Sequence, residues 1–362
     1  IHPGADLNRI LMRYEGIDSI STDNNKIHLY TAAGDMVESI PLSYQEDEMG
    51  NKTSIAVGYQ LRGNIVSFYS EQYDKERPLV IDPVPNLKWG TYFGGELNDY
   101  TYSTSVDKED NVIIAGHTLS LFNIATSGAH QATIDNDYDC FVAKFDKNGN
   151  RKWSTYYGGS ANDRSYCAGI DTNGNVFLGG STFSTNNIAT GGAYQTSLQS
   201  ADDAFLVRFD SAGIRQWCTY FGGNDHDFFG ALDIAENGDV YLTGHTRSTN
   251  NIVTSGAHQT TFMGFETAMI TRFSNSGAFL WGTYYGGGFD AGWGIAVDDT
   301  LNSYITGSTS SDSLISTQNS HQPALAGPRN AFLVKFDSTG TRLWATYYGG
   351  EGIDKGEALA LD

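Results

Sequence analysis

Between Ser165 and Gly222, apolar and polar positions alternate in four short runs: SYCAGID, NVFLGGST, AFLVRFD and IRQWCTYFG. Alternation with period two predicts half-buried strands, and the Gly-containing breaks TNG and SAG predict tight hairpins within the first and second pairs. Between the pairs lies a long polar stretch, FSTNNIATGGAYQTSLQSAD, with no sustained periodicity. The unit is therefore four strands, in places A, B, C and D, with one long B-to-C connection. The same frame recurs along the chain. Trp89, Trp153, Trp217, Trp281 and Trp344 stand 64, 64, 64 and 63 residues apart, each opening Trp-x-Thr-Tyr-aromatic-Gly-Gly. A feature repeated at fixed period belongs to a structural unit, because a catalytic constellation needs to be built only once. Trp293, the sixth Trp, falls outside the series.

Four-stranded antiparallel units repeated radially make a β-propeller, which protects its sheet edges. The expected fold is all-β, with strands near 102–107, 111–117, 139–145 and 151–157 recurring at the repeat spacing and essentially no helix. Aromatic residues on strand D would fill the space between blades, at about 150–250 Å² per ring. Gly-Gly would supply the backbone angles for crossing to the next blade. Four complete sets are flanked by an orphan D run, KWGTYFG, and an orphan A run, GEALALD. Counting them predicts an open arc or a ring with a deficient blade, and a natural chain continuing past Asp362 toward the about six to eight blades usual for such units.

Residues 1–82 also alternate in strand fashion, in KIHLYTAAGDMVESIPLSY and SIAVGYQLRGNIVSFYSEQY, with turns at DNN, AGD and RGN. Pro78, Pro83 and Pro85 bracket an extended link. The expected organisation is a β-rich N-terminal domain over 1–82, only part of it present, and propeller repeats over 83–362. The chain opens IHPGADLNRI, so any export signal is expected upstream.

Acidic residues outnumber basic ones 42 to 22, for a net charge of −20, which repels phosphate backbones and argues against nucleic acid as partner. No run of eighteen apolar residues offers a membrane span. The three cysteines, Cys140, Cys167 and Cys218, occupy slots that other copies give to small residues, so buried inert thiols are expected.

Two residue sets stand out as candidate ligand-binding positions. Asp99, Asp163, Asp227, Asp290 and Asp354 follow Gly-Gly in all five copies and would share one face; such a ring could bind a cation, or could hold the loops. His130, Tyr194, His258 and His321 lie in the B-to-C connections; Tyr in one copy argues against a shared metal ligand. That face, with the D-to-A and B-to-C loops, is the expected binding face. The segments DKNGN, DTNGN and DSTGT read as hairpin turns rather than calcium loops. No catalytic motif, metal-ligand set or cofactor fingerprint appears, so no cofactor is expected. Two functions follow: a non-catalytic scaffold or recognition module binding glycan or protein, or a polysaccharide-degrading enzyme. The enzyme needs a carboxylate pair in one blade only, and the acids left after subtracting the repeat, Asp225, Glu266 and Asp312, are scattered.

WSTYYGGSANDRSYCAGIDTNGNVFLGGST and DDAFLVRFD resemble the bacterial β-propeller repeat known as SBBP, from Trp89 to the end of the chain. NNIATGGAYQT, FNIATSGAHQA and NNIVTSGAHQT are similar to copies in surface proteins exported by the type IX route. PGADLNRILMRYEG and RPLVIDPV resemble part of a β-rich domain that precedes such repeats. The resemblance implies a secreted or cell-surface bacterial protein and export machinery as a partner, but no activity.

Overall fold

A computed structural model of the chain describes all residues except 24, 25, 32, 33, 40, 41, 48, 49, 71, 72, 83–88, 135, 136 and 362. The chain divides into two compact units, residues 1–90 and 91–362. The boundary expected near Pro83, and parts of the DNN and AGD turns, lie outside the described residues.

Among the described residues of the first unit a 3-10 turn at Leu7–Arg9 precedes nine strands: β1 (Leu11–Arg13), β2 (Ser19–Asp23), β3 (Lys26–Thr31), β4 (Gly34–Ser39), β5 (Leu42–Glu46), β6 (Lys52–Ser54), β7 (Gly58–Arg62), β8 (Ile65–Tyr69) and β9 (Leu79–Asp82). They form three antiparallel sheets, β1-β8-β7, β2-β3-β4 and β6-β5-β9. Alternation sets the inward face: Ile27, Leu29, Tyr59, Val66, Phe68 and Leu79 make one core.

The second unit holds four sheets of four strands, each in the order A-B-C-D. Blade 1 is β10 (Asp99–Val106), β11 (Val112–Thr118), β12 (Asp139–Phe145) and β13 (Arg151–Tyr157). Blade 2 is β14 (Asp163–Ile170), β15 (Val176–Thr182), β16 (Asp203–Phe209) and β17 (Arg215–Phe221). Blade 3 is β18 (Asp227–Ile234), β19 (Val240–Thr246), β20 (Thr267–Phe273) and β21 (Phe279–Tyr285). Blade 4 is β22 (Asp290–Val297), β23 (Ser303–Thr309), β24 (Asn330–Phe336) and β25 (Arg342–Tyr348). The chain is thus all-β, built of β-propeller blades. Every A strand carries one bulge, whose extra residue is Tyr102, Tyr166, Gly230 or Trp293. Trp293 therefore occupies a place unlike that of the strand-D tryptophans Trp153, Trp217, Trp281 and Trp344.

The first three of these act as anchors between blades. The indole N–H of Trp153 donates to the Ser211 carbonyl at 3.0 Å, that of Trp217 to Asn275 at 2.9 Å and that of Trp281 to Ser338 at 3.1 Å, each acceptor lying in the C-to-D hairpin of the next blade. A glycine of the same hairpin lies on the indole face. Gly213, Gly277 and Gly340 hold φ of 84°, 87° and 85°, and a Cβ on them would stand 2.7, 2.9 and 3.0 Å from the ring. The turn needs glycine for its dihedral, and the indole needs it for room.

The first glycine of the D-to-A Gly-Gly pair holds the expected positive φ in three copies, Gly94 at 154°, Gly286 at 105° and Gly349 at 156°, whereas the copy between blades 1 and 2 needs glycine for a different reason. Gly158 and Gly159 do not lie in the left-handed region. What excludes a side chain there is crowding: a Cβ on Gly158 would stand 2.6 Å from the Asp139 carboxylate, and one on Gly159 would meet the Asn186 carbonyl.

The long B-to-C connections also depart from expectation. Each runs back along the outer edge of its own strand D, with Thr126 N donating to Ser154 O, Thr190 N to Cys218 O, Thr254 N to Gly282 O and Thr317 N to Ala345 O at 2.9–3.0 Å. Tyr156, Tyr220, Tyr284 and Tyr347 amides then reach Gln131, Gln195, Gln259 and Gln322 carbonyls. The loop straps the edge that an open sheet leaves unpaired. Much of it is scaffold, not a free recognition loop.

Neither orphan run forms a strand, because a strand is defined by a partner. Residues 89–98 are non-strand, yet Phe93 packs on Phe141 at 5.1 Å and Phe145 at 5.9 Å, as Tyr157 packs on Phe205 and Phe209 at 5.4 and 5.9 Å. Residues 354–361 are also non-strand, held where Gly356 N donates to Gly307 O. The strands β10 and β25 belong to separate sheets.

Candidate functional site

The repeated aspartates face inward. Asp163 accepts the Thr182 hydroxyl, the Ser184 hydroxyl at 2.8 Å and the Gly159 amide at 2.7 Å. Asp227 repeats the set with Thr246, Ser248 and Gly223 at 2.5, 2.8 and 2.9 Å, and Asp290 with Thr309, Ser311 and Gly288. All three are buried. Asp99 holds Thr118, Ser120 and Gly95, and Asp354 holds Gly350 and Asn330; both are part-buried. Their oxygens are engaged by hydroxyls and amides of this chain, which makes the first four clamps between the preceding loop and strand B, while Asp354 ties its loop to Asn330 on strand C of blade 4. Among the described residues no three His, Cys, Asp or Glu side chains converge as a metal site.

Burial pushes the Asp163 carboxyl up to about 6 and that of Asp227 up to about 7, against the hydrogen bonds that pull the other way. At these two carboxyls the folded chain binds more protons than the unfolded one above about pH 4, so the part of the stability they carry is fully present below that point and is lost as pH rises through 6–7. Imidazoles held low in the fold act in the opposite sense, so the carboxyl contribution is read against Asp227→Asn: the thermal midpoint of wild type relative to that variant is expected to fall from pH 5 to pH 8. A difference that grows from pH 5 to pH 8 sinks this.

His130 packs between Tyr157 and Phe209 of the next blade, and His258 between Tyr285 and Phe336. Partial burial, with a nearby Arg215 or Arg342, holds both imidazoles down to about 4, hence neutral. Tyr194 fills the same place against Phe221, Phe273 and Phe279, and His321 stacks on Tyr348. The first three bridge blades, and the set does not gather at one point. Its neighbouring glutamine is equally structural: Gln131 and Gln195 accept the Gly158 and Gly222 amides and donate to Asp139 and Asp203. The cysteines are free and buried, and desolvation raises each thiol, that of Cys218 to about 11.

With the repeated residues assigned to architecture, the places where the repeat breaks become informative, and they coincide at the junction of blades 3 and 4. At the three earlier D-to-A loops, polar side chains tie the loop to the following B-to-C segment. Glu96 accepts the Leu121 amide at 2.7 Å, Ser160 donates to Asn186 at 2.8 Å and Asn224 donates to Thr249 at 3.1 Å. The loop before β22 is one residue shorter and reads Gly286-Gly287-Gly288-Phe289. Its amides are met by Ser311 and Ser310 hydroxyls at 2.7 and 2.8 Å, and the Phe265 amide donates to Gly288 O at 3.1 Å. Three backbone segments are thereby fixed together.

On that backbone stand four large apolar side chains. Met263, Phe265, Phe289 and Leu314 are between 42% and 54% exposed. Phe265 and Phe289 pack at 4.9 Å, while a Cβ on Gly287 would stand 3.5 Å from Met263 and 3.3 Å from Leu314. Leu314 has φ 69°, where the other copies place Asn123, Asn187 and Asn251. Asparagine tolerates that region; leucine pays roughly 1–2 kcal/mol for it. Guanidinium groups flank the floor, Arg247 over Phe265 at 4.6 Å and Arg329 over Phe289 at 5.9 Å. Glu266 is taken by Arg247 at 3.1 Å, and Asp225 accepts the His226 amide at 2.7 Å. Sequence reading missed this site, although the shortened loop and its third glycine were visible.

Residues 1–84 match a family model described as "Domain of unknown function (DUF7948)". An uncharacterized WD repeat-containing protein of Acanthamoeba polyphaga mimivirus is 23% identical over 354 aligned residues, covering 78% of this chain and 25% of the relative. The chain thus spans a quarter of that relative's length. Among solved structures, the Pan2 WD40 domain of Neurospora crassa is 9% identical with TM-score 0.32, covering 69% of this chain and 64% of that one. A gluconolactonase of Xanthomonas campestris is 11% identical with TM-score 0.33, covering 94% and 89%. The propeller architecture rests on the four sheets themselves. Among the described residues no helix is long and apolar enough to cross a membrane.

Proposed function

We propose that the chain is a non-catalytic recognition module that binds a protein through the junction of blades 3 and 4, on the face carrying the D-to-A loops. The observation that carries this is the convergence of four exposed apolar side chains, one of them in a strained backbone conformation, where the repeat is broken. Exposed apolar clusters on rigid backbone mark interaction sites. The apolar floor, poor in side-chain hydroxyls, favours a protein over a glycan. The enzyme reading gains nothing from Glu266, whose carboxylate is already paired. Resemblance to SBBP repeats supports a secreted or cell-surface bacterial location with export by the type IX route, and this part of the proposal rests on that resemblance alone.

A photo-crosslinking side chain at position 265, with one at Asn148 on the opposite hairpin face as control, tests the surface in extracts of the producing cells. Adducts are expected from position 265, and they should fade when Phe289→Ser is added. Equal yield from both positions would remove the junction from consideration.

A further inference from the structure

The residue immediately before strand C differs in every blade, and in three of them it is paired. Tyr138 lies under the Arg164 guanidinium at 5.2 Å, Asp202 pairs with His226, and Glu266 takes Arg247. Arg329 holds the same place in blade 4. Among the described residues its guanidinium meets the Phe289 ring and no carboxylate. A guanidinium resting on a ring keeps its N–H edge free and loses little freedom on binding, and its fork fits a carboxylate with two parallel hydrogen bonds. Beside it lies the apolar floor of Met263 and Leu314, with Ile353, bridged to Arg329 through the backbone, 75% exposed at the margin.

Resting on the recognition reading above, we propose that the junction takes an extended peptide segment in which a large apolar side chain stands one or two residues from a carboxylate. The apolar side chain seats against the exposed surfaces of the Phe265 and Phe289 pair, and the carboxylate takes Arg329. The chain as a whole, at net charge −20, attracts basic peptides at long range and repels acidic ones, so a preference for acid can arise only at contact.

The experiment selects a displayed library of random twelve-residue peptides on the intact chain, after clearing it over a Phe265→Ser/Phe289→Ser variant. Both side chains are about half exposed, so the variant should melt with the wild type, which a thermal scan checks. A dye-labelled consensus peptide and its Asp→Asn or Glu→Gln counterpart are then titrated by fluorescence anisotropy against wild type and Arg329→Gln. The enriched peptides are expected to carry Asp or Glu beside the apolar residue. The amide counterpart should bind on the order of ten-fold more weakly to wild type, a difference that Arg329→Gln should abolish. Peptides that need the patch but show no acid preference, or a preference that survives Arg329→Gln, overturn this proposal and leave the recognition reading standing. A selection that yields nothing dependent on Phe265 and Phe289 overturns both.

Discussion

Trp281→Ala is expected to lower the free energy of unfolding by about 3–5 kcal/mol, while Trp344→Ala, the same residue of the same repeat, should cost about 1 kcal/mol. Trp281 is 8% exposed, donates its N–H to Ser338 and lies under Gly340, so its loss leaves a void between two blades and removes one of the two hydrogen bonds to the Ser338 carbonyl, the other coming from Arg272 at 2.6 Å. Trp344 is 39% exposed, and its outer face lacks the hairpin that covers the others. The pair separates the contribution of the junction from that of strand D itself, because both residues share the same strand environment. Urea unfolding of the two variants gives the comparison. Equal losses would mean that the indole serves its own blade and that the inter-blade contact is incidental.

A reversal of sign is expected at the buried ion pair of blade 1. Lys144 Nζ lies 3.0 Å from Asp107 Oδ2, with side chains only 4% and 3% exposed. Asp107 is also held by the Asn111 amide at 2.8 Å and by the Asn111 side chain, and these partners keep its carboxyl below the usual carboxylate range despite burial. Asp107→Ala strands an ammonium in the blade and should cost about 3–5 kcal/mol. Lys144→Met alone should cost less, since Asn111 still satisfies the carboxylate. In the Asp107→Ala background, however, Lys144→Met should be stabilising, because it removes the stranded charge. Denaturation of the four proteins of the cycle reads the coupling. Additive losses would show that the pair is solvated and contributes little.

Repetition made the blades legible. One copy of IRQWCTYFG is ambiguous between a strand and a short buried helix; five copies at one spacing, each followed by Gly-Gly, are not. Hairpin chemistry was equally local: Asp146 caps its own turn by accepting the Asn148 and Asn150 amides at 2.9 Å, and Ser274 does so with its hydroxyl where the third copy lacks Asp. The reason for Gly158 was not legible, since the carboxylates that crowd it come from residues 139 and 163. Nor was the path of the B-to-C loop, whose hydrogen bonds span 24 to 28 residues to strand D. The junction was hidden for a related reason. Met263, Phe265, Phe289 and Leu314 are unremarkable singly, and only the packing of blade 4 on blade 3 assembles them.

The anchoring of the Trp153, Trp217 and Trp281 indoles beneath the following hairpins has a consequence for how such a chain can change. Any segment of one repeat length can be duplicated or removed and the cut ends will meet with tryptophan, carbonyl and glycine already in place. Blade number is then free to drift while the joints stay sound. Order is another matter: a blade moved out of fourth position takes Arg329 and Leu314 away from Phe265, so the broken repeat at that one joint fixes the sequence of otherwise interchangeable parts.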